Sequence, residues 1–333
     1  MRRLTFFVVA LGIAWSAYWL IGKTAKEQVI TAWLEGRRAA GWTVEYSDFQ
    51  VAGFPNRFDS RFRDLELYSP VSGFGWATPE FHIFALSYRP NHIIAAFANR
   101  QVVTLPFEQI EINSDEMLAS VVFAPDTLLA VDRISLTADN LDLDSSIGWR
   151  SRADRFSLAT RRVVAGNFAH EVAFEATGVT PTNAFRNGLD PKGQLPLVIE
   201  RVWLDLTLDF NAPWDRVAVE SGAPEVTGIG LNDVAIRWGD LELKANGTLV
   251  VDPDGQINGR IGLVIRNWRQ VLDLVVLAGL IGERTAVAVS NALSVLTAAT
   301  ENPESLSVPL VLENGAMVLG PVTIGPAPRF VRR

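Results

Sequence analysis

The sequence predicts a mainly β protein on a membrane tether: an N-terminal transmembrane helix, a large antiparallel sheet or sandwich-like groove body, and a helical hairpin near the C-terminus. Three observations carry that expectation. The run Leu4 to Ile21, LTFFVVALGIAWSAYWLI, holds no charge. From Trp42 onward apolar and polar residues alternate with period two, in short runs broken by Gly, Pro and polar clusters. A helical pattern returns near residues 267–299.

At about 1.5 Å per residue the uncharged run reaches ~27 Å, close to the ~30 Å hydrocarbon core of a bilayer. A helix is the one single-segment way to satisfy every backbone polar group there. A cleavable signal peptide competes, but its apolar core is shorter and ends in small residues. Here Trp15, Tyr18 and Trp19 crowd that end, in the manner of an interfacial aromatic belt. Arg2 and Arg3 precede the run, so the positive-inside tendency holds the N-terminus in the cytoplasm; Lys23 and Lys26 weaken that bias without reversing it. The expectation is a single-pass inner-membrane protein with its bulk in the periplasm. Residues 1–22 read as a signal-anchor, 23–41 as a membrane-proximal helix continuing out of it, and 42–333 as one periplasmic β-rich domain. In the second segment Val29, Ile30, Trp33 and Leu34 share one face, and Gly41 stops the helix. That face packs on the first strands or lies flat on the bilayer.

Trp42, Val44 and Tyr46 alternate with Thr43, Glu45 and Ser47, and the turn Gly53-Phe54-Pro55 follows. Phe58, Ser60 and Phe62 alternate with arginines and Asp59, and Leu65 and Leu67 resume the pattern after a one-residue bulge. Short strand-like runs continue to Phe210, and few residues between Trp42 and Phe210 suit a long helix. Two hairpins are the clearest local signals. Leu241–Val251 and Gln256–Ile265 flank Asp252-Pro253-Asp254-Gly255, and Leu306–Leu312 and Ala316–Leu319 flank Asn314-Gly315. Leu136–Leu143 reads as a further strand, polar turn and strand, and Pro181–Gly193 as a surface loop or subdomain joint. Asn267–Gly282 and Thr285–Ala299 read as two helices capping or plugging the β body. The apolar run Leu274–Ile281 is bounded by Asp273 and Glu283, too short for a second crossing.

Composition narrows the chemistry. With 48% hydrophobic residues the chain can bury a core, and with no cysteine it has no disulfide, thiol nucleophile or thiolate metal site. A net charge of −7 argues against a nucleic-acid partner. The basic end, Arg329, Arg332 and Arg333, reads as a solvated tail. The three histidines, His82, His92 and His170, stand in no metal-ligand spacing, and no phosphate loop or nucleophile elbow is present. Val71-Ser72-Gly73-Phe74-Gly75 lacks the residues that would hold a phosphate and reads as a loop. Asp139, Asp142 and Asp144 carry the oxygens a calcium site needs, but Leu141 and Leu143 alternate with the acids, as Leu204, Leu206 and Leu208 do with Asp205 and Asp209; both sets read as the wet face of a strand. No catalytic residue, cofactor or metal is expected.

The distinctive feature is the 18 Phe and 10 Trp on strands whose polar face is thin. Phe81, Ile83, Phe84, Leu86 and Tyr88, with Ile93 and Phe97, make two consecutive runs apolar on both faces. Such strands form a sandwich core or line a surface for a hydrophobic ligand such as lipid.

Several landmarks fall in one order: Trp33, Gly41-Trp42, Tyr46, Gly53-Phe54-Pro55, Trp76-Ala77-Thr78-Pro79, Tyr88 and Pro90; then Gly247, Asp254-Gly255, Gly259, Pro309, Asn314-Gly315 and Gly320-Pro321. This pattern resembles the bacterial membrane-anchored family catalogued as domain of unknown function 2125, over nearly the whole chain. That family more often has Asp-Gly where this chain has Asn314-Gly315, and both suit the same turn. The motifs are turns and aromatic anchors, so the resemblance implies a fold and carries no catalytic residues over. More loosely, the anchor followed by strand-turn-strand units is similar to AsmA-like envelope proteins, whose sheets curl into a lipid-holding groove. The expectation is a non-enzymatic envelope protein that binds or guides a hydrophobic molecule; the alternative is a scaffold or assembly factor that contacts other envelope proteins.

Overall fold

The computed structural model describes residues 1–164, 168–297 and 304–330. The chain divides into two compact units: Met1–Pro125 with Ser135–Gly148, and Asp126–Ile134 with Trp149–Arg333. Both are antiparallel β structures carrying helices.

In unit 1 the helix α1 (Arg2–Ala39) runs unbroken for 38 residues. It is long and apolar enough to cross a membrane, and only 6% of its most apolar window is buried, so it is no core helix. The strands β1 (Thr43–Glu45), β2 (Asp48–Ala52), β3 (Asp59–Ser69), β4 (Phe74–Leu86), β5 (Arg89–Phe97), β6 (Arg100–Leu105), β7 (Glu108–Asn113) and β8 (Glu116–Phe123) follow, with β9 (Val131–Ser145) entering this unit from Ser135. The strand β3 is long enough to pair β1 along one half and β2 along the other, while β4 pairs β3, β5 and β6. The expected irregularity in β3 falls at Asp64, whose φ of +48° resets the alternation, so that Phe62 and Leu65 enter the same core.

Unit 2 is a simple meander. The strands β10 (Arg150–Arg162), β11 (His170–Val179), β12 (Ile199–Phe210), β13 (Val226–Trp238), β14 (Leu241–Val251), β15 (Ile257–Arg266), β16 (Ser305–Glu313), β17 (Ala316–Leu319) and β18 (Val322–Pro326) each pair with the next in the chain. Among the described residues four helices interrupt it: α2 (Asn183–Leu189), α3 (Arg216–Ser221), α4 (Trp268–Leu277) and α5 (Glu283–Thr297). Both sequence-predicted hairpins are present, and Asn314 and Gly315 take the positive φ values, +53° and +75°, that their turn requires.

Two local expectations are corrected. Leu136–Leu143 is no strand-turn-strand unit but the middle of the single strand β9; Asn140 adopts φ +51° and absorbs the irregularity without reversing the chain. Pro181–Gly193 is no plain loop, because Thr182 caps α2 through its hydroxyl, which accepts from the Phe185 amide at 3.2 Å. The helical pair stands where expected, though residues 298 and 299 lie outside the described residues, as do Arg332 and Arg333.

Candidate functional site

The site begins with the alternation in β12. Val202, Leu204, Leu206 and Leu208 take one side, and Trp203, Asp205, Thr207 and Asp209 the other. Directly opposed residues in antiparallel strands point to the same face. The register sets Leu204 between Phe174 and Val234, Leu206 between Val172 and Leu231, and Leu208 between His170 and Ile229. The rows continue through Ala245, Leu263 and Val308, and through Ile236, Leu243, Ile265 and Leu306. Unit 2 therefore carries one apolar face across β10 to β16. The opposite face holds ion pairs such as Arg201–Glu175 at 2.7 Å and Lys244–Glu242 at 3.2 Å.

Helices close parts of that face. Trp268, 1% exposed, from α4 joins Val289 and Leu293 from α5 over Ile265, Leu306 and Val308, and Leu274 of α4 packs with Leu195, Ile199, Trp238 and Leu241. The segment after α2 covers another part. Its Asp190 accepts the Leu195 amide at 2.7 Å, and Trp238 donates its indole N–H to the Pro196 carbonyl at 2.8 Å. Burial would raise the Asp190 carboxyl, but the backbone donors of Leu195, Gln194 and Gly193 and the nearby Arg186 together hold it below the usual carboxylate range. Between these covers Leu204, Leu206, Leu208, Ile229 and Leu231 stay half-buried.

Three cavities lie on the same apolar face, beside the strip. One of about 150 Å³ lies among Leu263, Trp268, Leu272, Leu310 and Ile324. One of about 270 Å³ lies among Phe185, Leu195, Val202, Ile236 and Leu274. The third, about 250 Å³, is lined by Val131, Ile134, Leu158, Thr160, His170, Val172, Phe210 and Trp214. His170 is buried, 3.1 Å from the Thr160 hydroxyl and edge-on to Phe210. Desolvation first, then the Arg162 charge, push its imidazole below the ordinary histidine pKa, against a smaller opposing pull from Asp132. Such a surface offers contact area and exclusion of water; acid-base chemistry has little to work with.

The sequence-predicted ligand residues lie elsewhere, in unit 1, and on both sides of its sheet. Phe81 pairs with Phe97, and Ala85 with Ile93, on one side. Phe81 and Ile83 pack there on the core of Leu34, Val44, Phe62 and Leu65, with Phe81 rings 5.0 Å from Trp76 and 5.3 Å from Phe97. Phe84 points to the other side beneath the Arg57 guanidinium; Leu86 ends β4, and Tyr88 is exposed in the following turn. The seven residues do not make one face. His82 lies 3.4 Å from Glu80, and His92 contacts the Ser120 hydroxyl at 2.9 Å. Among the described residues no group of three His, Cys, Asp or Glu side chains is placed to hold a metal.

The anchor residues hold a feature that the sequence did not disclose. Arg2 and Arg3 are exposed at the start of α1, but the three aromatics reach the body: Trp15 donates to the Pro55 carbonyl at 3.0 Å, Tyr18 to Ser87 at 2.7 Å and Trp19 to Arg57 at 2.8 Å. Trp19 is buried, stacked on Phe58.

A family model described as "Uncharacterized protein conserved in bacteria (DUF2125)" matches residues 19–328. No curated protein and no solved structure matches.

Proposed function

We propose, for a chain that belongs to the DUF2125 family, that it is a tethered envelope protein whose unit 2 holds a hydrophobic molecule, acyl chains of a lipid in the first instance. The observation that supports this is the half-buried apolar strip of Leu204, Leu206, Leu208, Ile229 and Leu231, flanked by three apolar cavities. A soluble domain that needed the strip only for stability would bury it fully, since each half-buried aliphatic forgoes a part, on the order of 0.5 kcal/mol, of its burial energy. In this reading the uncharged Leu4–Ile21 run spans the inner membrane with Arg2 and Arg3 on the cytoplasmic side, and both units lie in the periplasm; the positive-inside tendency supports it.

The test is photo-crosslinking of the full chain in cell membranes, with a photoreactive side chain at Leu206 or, on the opposite face, at Asp205. Lipid-mass adducts at Leu206 and none at Asp205 are expected. Protein adducts at Leu206 would favour the scaffold alternative, and an absence of adducts at both positions would mean a face packed shut.

A further inference from the structure

The contacts of α1 bear on how unit 1 meets the bilayer. Trp15 precedes Ile21, the end of the uncharged run, by about 9 Å of helix, Tyr18 by about 4.5 Å and Trp19 by about 3 Å. Helical side chains lean toward the N-terminus, so what they touch lies deeper still. All three donate to carbonyls of unit 1, at Pro55, Ser87 and Arg57. The first charges come only afterwards: Lys23 pairs with Glu27 at 3.6 Å, and Lys26 donates to the Phe58 carbonyl at 2.5 Å. The apolar segment thus holds on to the body before it ends.

The two turns it grips present apolar tips to the outside. Phe54, beside Pro55, is 56% exposed although its ring stands edge-on to Trp19 at 5.3 Å; Tyr88, next to Ser87, is 59% exposed. From there unit 1 leads away along the helix. Between Trp19 and Leu34 α1 rises about 22 Å, and from Phe58 to Leu65 the chain along β3 rises about 23 Å, so the two run side by side. The turn at Val71 is at the opposite end of β3 and β4, roughly 33 Å from the gripped turns.

From this we infer that the Gly53–Arg57 turn and the Ser87–Arg89 turn are a membrane wedge: they sit in the lipid of the leaflet that α1 leaves, with Phe54 and Tyr88 among acyl chains and headgroups. The partner is the bilayer itself, because any segment bonded to Trp15 shares the depth of Trp15. Bonding the indole and phenol donors to carbonyls also removes polar groups that would be costly at that depth. The inference rests on α1 crossing the membrane and is independent of any ligand on unit 2.

The chain contains no cysteine, so each introduced cysteine is unique. The experiment places a fluorophore at Phe54→Cys, Tyr88→Cys, Val71→Cys or Leu11→Cys of the full chain, reconstituted in phosphatidylcholine vesicles with and without brominated acyl chains. All four native side chains are exposed, so a label is accommodated at each, and at position 54 it takes the place of the edge contact with Trp19. Bromolipid quenching at 54 and 88 at least twofold above that at 71, with strong quenching at 11, is the expected result. Quenching at 11 alone would overturn the wedge and leave the anchor standing. Absence of quenching at all four positions would overturn the wedge and the membrane-spanning reading together.

Discussion

In unit 1 the apolar side of the sheet is filled by rings: Phe49 stacks on Phe62 at 4.5 Å, Phe62 on Phe81, and Phe81 and Trp76 meet Phe97, with Leu34 of α1 laid over them. In unit 2 the corresponding side is built mainly of Leu, Ile and Val, and its helices cover the ends while the middle stays half-open. The same alternating strands yield a ring cluster around the buried Phe62 and Leu65 in one place and a half-buried aliphatic strip beside apolar cavities in the other. What differs is the volume of the side chains and the reach of the cover, since rings interlock across neighbouring strands and aliphatics need a second layer to exclude water.

The largest effect expected from that contrast is a difference in cost for truncating the two faces. Phe62, 4% exposed, sits at the centre of the ring cluster, so Phe62→Ala should lower the stability of unit 1 by about 3–5 kcal/mol. Leu206→Ala on the half-buried strip should cost unit 2 less, about 1–2 kcal/mol, because part of its surface is wet already. Hydrogen exchange resolves the opening of each unit separately and is the measurement to use. Equal costs would mean that the strip is as firmly packed as the ring cluster.

The contrast also explains what the sequence made legible. The hairpins at Asp252–Gly255 and Asn314–Gly315, the long N-terminal helix and the irregularity near Arg63 depend on neighbouring residues, and local chemistry declares them. The strip is visible in the sequence as Leu204, Leu206 and Leu208, but their alternation with Asp205 and Asp209 is that of any half-buried strand and does not mark it as a site. Whether a face is covered is decided by helices such as α4 and α5, far along the chain, and no period reports that. The strand β13 was hidden because Gly228, Gly230, Asn232 and Asp233 imitate turn chemistry; the structure spends part of it on a register shift between Leu231 and Val234. The aromatics of α1 were ambiguous for a different reason, since an indole N–H is satisfied as well by a headgroup as by the Pro55 or Arg57 carbonyl.

A glycine tests the open face from within. Gly247 in β14 lies between Leu231 and Ile261 on the apolar rows, with φ +153°, and a Cβ there would collide with the Arg260 carbonyl oxygen. Gly247→Ala should therefore cost unit 2 about 1–3 kcal/mol through strain and a widened strand pair. Gly188→Ala in α2 meets nothing within 4 Å and takes no positive φ, so it should be neutral or stabilising by up to about 1 kcal/mol. Thermal unfolding of the two variants in the full chain separates them. A harmless Gly247→Ala would show that β14 and β15 have room to part, and the open strip would then be a looser structure than its hydrogen-bond register implies.

The smallest effect is set by a proton. One cavity of unit 2 is lined by His170, whose imidazole is held toward its neutral form by burial and by Arg162, with Asp132 opposing. Its folded-state pKa lies below the ordinary value of about 6.5, so between the two values the unfolded chain takes up a proton that the folded chain refuses. The contribution of His170 to stability is fully present above that ordinary value and is lost as pH falls toward the depressed one. His170→Leu keeps the bulk and removes the proton site. The stability difference between the parent chain and this variant should be flat from pH 8 to about 7 and then fall, at the expense of the parent, as the medium is acidified toward pH 5. Taking the difference cancels the groups that the two chains share and that lie away from His170. Parallel profiles over the whole range would mean that water reaches the imidazole freely, and the cavity would then be as wet as the strip beside it.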